Sequence, residues 1–157
     1  MLYLLLKWLH ILSATVLMGT GIGIAFFMLI AHLRQDVAHI AQTARTVVIA
    51  DTVFTAPAAI VQLVTGLGLV HLMGLSLTTG WIFSALWLYF AVGACWLPVL
   101  WLQLKMRNLA MQAAEENQPM PNQYYKYTRY WIALGCPAFI MMLIIFYCMV
   151  FKELAFT

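Results

Sequence analysis

Charged residues are scarce in this sequence. Lysine, arginine, aspartate and glutamate together make up 8% of the 157 residues, whereas soluble domains carry about 25%. Hydrophobic residues make up 65% of the chain. These proportions exclude a water-soluble globular domain and indicate an integral membrane protein. The few basic residues are scattered and form no stripe, so no nucleic-acid partner is expected.

Cysteine is also sparse, and the short motifs of common catalytic sites are missing. The three cysteines, Cys95, Cys136 and Cys148, lie in apolar runs and have no CxxC or CxxCH spacing. This argues against a disulfide framework, a zinc site and a covalently attached c-type haem. The sequence also has no phosphate-binding loop, no HExxH and no pairing of a nucleophile with a base.

Long apolar runs are what the sequence has in quantity. Crossing a bilayer needs about 20 residues, and four runs are long enough, at about residues 3–33, 45–73, 81–107 and 128–151. We therefore predict an all-α fold, a four-helix transmembrane bundle that forms a single membrane domain over residues 1–157. The first run is too long for the apolar part of a signal peptide. Pro57, Pro98 and Pro137 predict kinks in the other three helices.

The basic residues predict an orientation in the membrane. Six of the eight fall in the first and third connections between these runs: Arg34, Arg45, Lys105, Arg107, Lys126 and Arg129. The positive-inside rule places these two connections in the cytoplasm. The expected topology is therefore N-out and C-out, in a multi-pass protein of the bacterial inner (cytoplasmic) membrane.

An ionisable pair lies inside the first predicted helix. Lys7 and His10 are three residues apart, so both side chains leave the same helix face, and ionisable groups at membrane depth indicate a functional site. His71, in the last turn of the second predicted helix, is expected at the same depth as His10. Two histidines at matched depth on different helices suit the iron of one haem b, which takes an axial ligand on each face. We therefore predict His10 and His71 as the metal ligands to this haem iron.

Small residues and the lysine would complete the cofactor site. Gly68 lies on the face of His71 and Ser13 on the face of His10, where they would admit the flat macrocycle, and Lys7 would pair with a haem propionate. The structural alternatives stay open. A histidine at a membrane interface can cap a helix end or bind water, and a lysine near a helix end can extend to the interface without any further role.

The remaining polar residues in apolar context allow two interpretations each. Asp51 is expected either to pair with Arg45 or another basic residue, or to act as a proton-transfer carboxylate. Gln62 and Thr65 share a helix face near mid-membrane, where they would form interhelical hydrogen bonds or bind a polar group of a substrate. His32 lies about 33 Å from His10 along the helix at 1.5 Å per residue, which disfavours a cytochrome with two closely spaced haems.

The sequence also resembles a known family over essentially its whole length. Four stretches are similar to a family of predicted four-helix bacterial integral membrane proteins (DUF2269-like): Leu6–Leu12, Gly19–Gly21, Gln62–Gly66 and Trp96–Val99. That family is in turn similar to HemJ-type protoporphyrinogen oxidases and CopD-type copper-resistance proteins. In HemJ-type proteins a Lys-x-x-His near the start of the first helix accompanies haem b, so the resemblance implies His10 as a haem ligand. The tryptophan and Leu-Pro-Arg segment that follow in HemJ-type chains are missing here, which puts porphyrinogen oxidation in doubt.

These observations favour a haem b-binding membrane protein with a redox role. The expected activity is electron transfer or quinone-linked oxidation, and the resemblance suggests a link to porphyrins. One alternative is a haem-free accessory or scaffold subunit, or a homo-oligomer, held through the small-residue motif Gly19–Gly23. Another is a copper or small-solute permease, although the ten methionines are dispersed along the chain. The expected partners are the lipid bilayer and a quinone or redox partner.

Overall fold

The computed structural model describes residues 1–152. The chain forms four long helices, because a π-helical turn joins two of the α-helices into one continuous rod. Each of the four is long and apolar enough to cross a bilayer, and the described residues contain no strand. This confirms the prediction of an all-α four-helix membrane bundle. In chain order the elements are α1 (Leu2–Arg34), α2 (Val37–Ala50), the π-helical turn (Asp51–Thr55), α3 (Ala56–Leu72), α4 (Gly80–Glu115) and α5 (Asn122–Phe151).

The helices extend further into the polar connections than the apolar runs predict. The rod of α2 and α3 begins at Val37 rather than near residue 45, because the Asp36 carboxylate accepts hydrogen bonds from the backbone N–H groups of Ala38 at 3.0 Å and His39 at 3.4 Å and caps the helix. α4 continues to Glu115, past the predicted end at 107, and α5 begins at residue 122 rather than 128. Alanine, glutamine and glutamate are good helix formers, so the polarity of these turns places them outside the bilayer without ending the helix.

The two ends of the bundle differ in composition. We call the end that carries the six basic residues of the first and third connections the basic end. The other, the terminal end, carries Leu2 and Phe151, because four helices that alternate in direction return the chain to the side where it began. The side of the membrane that the terminal end faces, and with it the N-out and C-out topology, stays a prediction.

The basic half of the bundle has a close-packed apolar core. Ile40, Met106 and Tyr124 are fully buried there, and they pack with Met28 and Ala31 of α1. α4 packs against both α2 and α5, so α4 connects these two helices.

The terminal half is organised in pairs of helices. α3 packs mainly on α1, and α4 packs mainly on α5. The Tyr89 hydroxyl donates a hydrogen bond to the Ala59 carbonyl at 2.8 Å, which links α4 to α3. Large apolar side chains face outward, with Ile60 67% and Trp87 69% exposed. Such a surface is in contact with the lipid bilayer.

Candidate functional site

His10 lies where α1 packs against α3 in the terminal half, and its ring is partly buried. The ring Nδ1 is 3.0 Å from the Thr65 hydroxyl oxygen, and Nε2 is 3.0 Å from the side-chain nitrogen of Gln62. The Ser13 hydroxyl, one turn along α1, donates to the amide oxygen of Gln62. We call His10, Ser13, Gln62 and Thr65 the His10 cluster.

The hydrogen bonds around the ring define its tautomer. The Thr65 hydroxyl donates its proton to the Val61 carbonyl at 2.6 Å, so it can only accept at its oxygen from the His10 Nδ1–H. Because the Gln62 amide oxygen is taken by Ser13, the Gln62 NH₂ group is the one that faces Nε2 and donates to it. His10 is therefore a neutral imidazole with its proton on Nδ1 and a lone pair on Nε2.

Two glycines of α3 allow α1 to come this close. A Cβ at Gly66 would lie 3.0 Å from Cε1 of His10, and a Cβ at Gly68 would lie 3.0 Å from Cδ1 of Leu6. Both distances are tighter than most Cβ contacts, so a larger residue at either position would require the neighbouring side chain to shift. Small residues at helix contacts are a common device of membrane bundles.

The structure does not bring His71 to His10. His71 is exposed and lies five residues beyond Gly66, a rise of about 7.5 Å toward the terminal end. Between the two histidines, Leu6 is in contact with Gly68. His71 therefore lies level with the first residues of α1 rather than with His10.

The other predicted cofactor residues are distributed along the same helix contact. Ser13 is buried and belongs to the His10 cluster, whereas Gly68 contacts Leu6. Lys7 is exposed, with its Nζ 5.9 Å from the centre of the Tyr3 ring, a cation–π distance. Lys7 thus points to the terminal end of α1 and is free to meet an anionic group there.

The anchored imidazole fits a haem held through His10 only once the Gln62 amide leaves Nε2, and the residues present do not fit a haem clamped between His10 and His71. The Nδ1–H of His10 is anchored on Thr65, and Nε2 carries a lone pair, which is the arrangement of a metal-binding imidazole. A macrocycle between the two histidines would have to separate α1 from α3 where Leu6 and His10 contact the glycines of α3.

The partners of His10 on α3 are functional residues that the sequence only partly indicated. The spacing of Gln62 and Thr65 placed both on one face of the helix. Their contact with His10 was not predicted, because hydrophobic periodicity does not specify how a lipid-exposed helix is rotated about its axis. Gly66, at the centre of that face, was the remaining signal of close helix approach.

A second buried polar group lies nearer to the basic end. Asp51, in the π-helical turn, is 4% exposed, and the side chains next to its carboxylate are those of Thr55, Gln103 and Trp96. Three atoms of these neighbours are buried and have no hydrogen-bond partner: Thr55 Oγ1, Gln103 Oε1 and Trp96 Nε1. We call these four residues the Asp51 cluster.

The expected ion pair between Asp51 and Arg45 is not formed. Among residues 1–152, the groups next to the Asp51 carboxylate are uncharged, and Arg45 is exposed. Six residues of a helix turn the chain by about 600°, so the two side chains leave different faces. The carboxylate instead lies beside Gln103 and Trp96 of α4.

The fold and these two clusters define a class of protein, a four-helix integral membrane protein with polar groups buried between its helices. The chain belongs to the family of predicted integral membrane proteins DUF2269, whose model matches residues 4–153. No curated protein and no solved structure matches the chain.

Proposed function

We propose that the protein binds one haem b through His10 and acts as a redox protein of the bacterial inner membrane. The observation that supports this proposal is the His10 ring, which is anchored at Nδ1 by Thr65 while the lone pair of Nε2 faces a side-chain amide. Metal-binding histidines are commonly oriented by a hydrogen bond from the other ring nitrogen. The Gln62 side chain is unbranched, so its amide can swing away from Nε2.

The residues around His10 would hold and orient the group. Thr65 accepts from Nδ1–H, which fixes the tautomer and the plane of the ring, and Ser13 holds the Gln62 amide. Lys7, one turn nearer to the terminal end, would offer its ammonium to a carboxylate at the membrane surface. When bound, the haem would supply one-electron chemistry.

The redox partner follows from where His10 lies. Its helix pair is surrounded by apolar, lipid-facing side chains, so a partner that travels in the bilayer reaches it directly. A quinone is such a partner. The resemblance of Lys7 and His10 to the Lys-x-x-His of HemJ-type proteins supports the same assignment.

The test is a dithionite-reduced minus oxidised absorbance spectrum of detergent-purified protein. We expect a b-type band in the wild-type protein and its loss in His10→Ala. His39→Ala, which removes a histidine at the basic end, is the matched control and should keep the band. His71→Ala should also leave the band unchanged, because the structure does not bring His71 to His10. A featureless spectrum from folded wild-type protein would reject the proposal.

A haem-free accessory subunit is the second candidate, and one observation favours it. A Cβ built on Gly19 or Gly23 meets no atom within 4 Å, so the GxxxG face of α1 is open for a partner helix or a second copy of the chain. This candidate predicts that a partner co-purifies in stoichiometric amount and that the preparation has no cofactor absorbance.

A further inference from the structure

Several buried polar atoms of the Asp51 cluster have no hydrogen-bond partner. Gln103 is 3% exposed and Thr55 is 9% exposed, yet Gln103 Oε1 and Thr55 Oγ1 have no partner. Both lie beside the Asp51 carboxylate. Buried polar groups are nearly always satisfied by protein, water or a ligand, and the low dielectric around them makes an unpartnered atom costly. Orphaned oxygens next to a buried carboxylate therefore point to a bound positive charge.

The depth of the cluster supports the same conclusion. Asp51 lies six residues from Arg45, about 9 Å further into the bilayer, and Gln103 lies two residues before Lys105. An ionisable side chain at such a depth is expensive unless it pairs or belongs to an ion pathway. No basic side chain is next to the carboxylate among residues 1–152. A carboxylate here therefore takes up a proton or is compensated by a cation from outside the chain.

The donor atoms decide the kind of cation. The cluster offers carboxylate, amide and hydroxyl oxygens, which are the ligands of hard cations. A single carboxylate neutralises one positive charge, whereas a divalent ion would leave a net charge in the apolar interior.

We infer that Asp51, Thr55 and Gln103 form a binding site for one alkali-metal cation, Na⁺ or K⁺, within the basic half of the bundle. The orphaned oxygens of Thr55 and Gln103 become ligands, and the cation compensates the Asp51 charge. Trp96 Nε1, which also has no hydrogen-bond partner, lies beside the same carboxylate and is not one of the proposed ligands. This site is separate from the His10 cluster and does not depend on the proposed haem.

The first test compares the thermal unfolding midpoint of purified protein in NaCl, KCl and choline chloride at equal ionic strength and fixed pH. A ligand that binds only the folded state raises the midpoint, so we expect a higher midpoint in NaCl or KCl than in choline, which is too large for the site. The response should disappear in Asp51→Asn and in Thr55→Val. Asp36→Asn, which changes an exposed acid at the basic end, is the matched control and should keep it.

The second test needs no variant, so it stands even if a substituted protein fails to fold. A hydrophobic carbodiimide labels carboxyl groups inside membranes, and the adduct on the peptide containing Asp51 is followed by mass spectrometry. Only cation-free sites react, so labelling should slow about tenfold when the salt is at ten times its dissociation constant. Equal labelling rates and equal thermal unfolding midpoints in all three salts would overturn the inference. An unfolding midpoint that changes with pH but not with the salt would overturn it as well. The haem band of Asp51→Asn should be unchanged, so the two proposals can fail independently.

Discussion

The two polar clusters of this bundle differ in whether their buried polar atoms have hydrogen-bond partners. In the His10 cluster the two ring nitrogens and the Gln62 amide oxygen each have a partner, and the contacts join α1 to α3. In the Asp51 cluster, three neighbouring atoms have none. Satisfied buried networks fix a geometry, whereas unsatisfied atoms lower stability until something binds them. We conclude that the His10 cluster holds the imidazole in a fixed orientation and that the Asp51 cluster is arranged to bind a ligand.

The backbone conformation also differs between the two clusters. The His10 cluster lies on regular α-helices that approach closely because Gly66 leaves space for the ring. Asp51 lies on a π-helical turn that ends two residues before Pro57. π-Helical turns are less stable than the α-helix and are often found at functional sites. Substitutions in the two clusters should therefore differ in both size and sign.

The largest effect should come from closing the space beside His10. In Gly66→Ala the new Cβ would lie 3.0 Å from Cε1 of His10, so α1 and α3 must move apart or the ring must turn. Overpacking of this kind costs about 1–3 kcal/mol of unfolding free energy. The measurement is reversible unfolding in mixed detergent micelles.

Gly21→Ala is the matched control for this change, because a Cβ there meets nothing within 4 Å. It should leave the unfolding free energy unchanged or raise it slightly, since alanine favours the helix. Equal losses in the two variants would show that glycine itself, rather than the contact with His10, is what matters.

A loss of comparable size should follow from removing the acceptor of the His10 Nδ1–H. Thr65→Val keeps the shape of the side chain and leaves this N–H unpaired, which costs about 1–3 kcal/mol when a buried donor loses its partner. Thr65→Ser restores the hydroxyl and should recover most of the stability. If valine and serine behave alike, the methyl group of Thr65 rather than its hydroxyl supports the helix pair.

The sequence predicted the helices of these clusters and the helix face that Gln62 and Thr65 share, but not which residues of different helices come into contact. Apolar runs defined four membrane helices, and the Gln62/Thr65 spacing put both residues on one face. The rotation of α3 toward His10 and the register that sets His71 beyond it depend on contacts such as Leu6 with Gly68. Such contacts follow from packing between distant segments. Asp51 and Gln103 are likewise brought together only by the packing of the second and third long helices.

A coupling measurement between Ser13 and Gln62 tests whether the first cluster acts as a unit. Ser13→Ala, Gln62→Leu and the double variant form a cycle whose interaction energy isolates the hydrogen bond between them. Hydrogen bonds between membrane helices average about 0.6 kcal/mol in such cycles, and we expect a favourable value of that order. A value of zero would mean that Ser13 does not help to position the amide on His10.

The smallest effect, and the one that separates the clusters most clearly, is expected for Gln103→Leu. The substitution removes the orphaned Oε1 and keeps much of the side-chain volume, so no satisfied hydrogen bond of that oxygen is lost. Replacing an unsatisfied buried group with an apolar one of similar shape is close to neutral or stabilising. Measured in choline chloride, the unfolding free energy should change by less than about 0.5 kcal/mol or should rise. A loss as large as that of Thr65→Val would mean that the amide of Gln103 is already paired without a cation, and the contrast between a satisfied and an unsatisfied cluster would not hold.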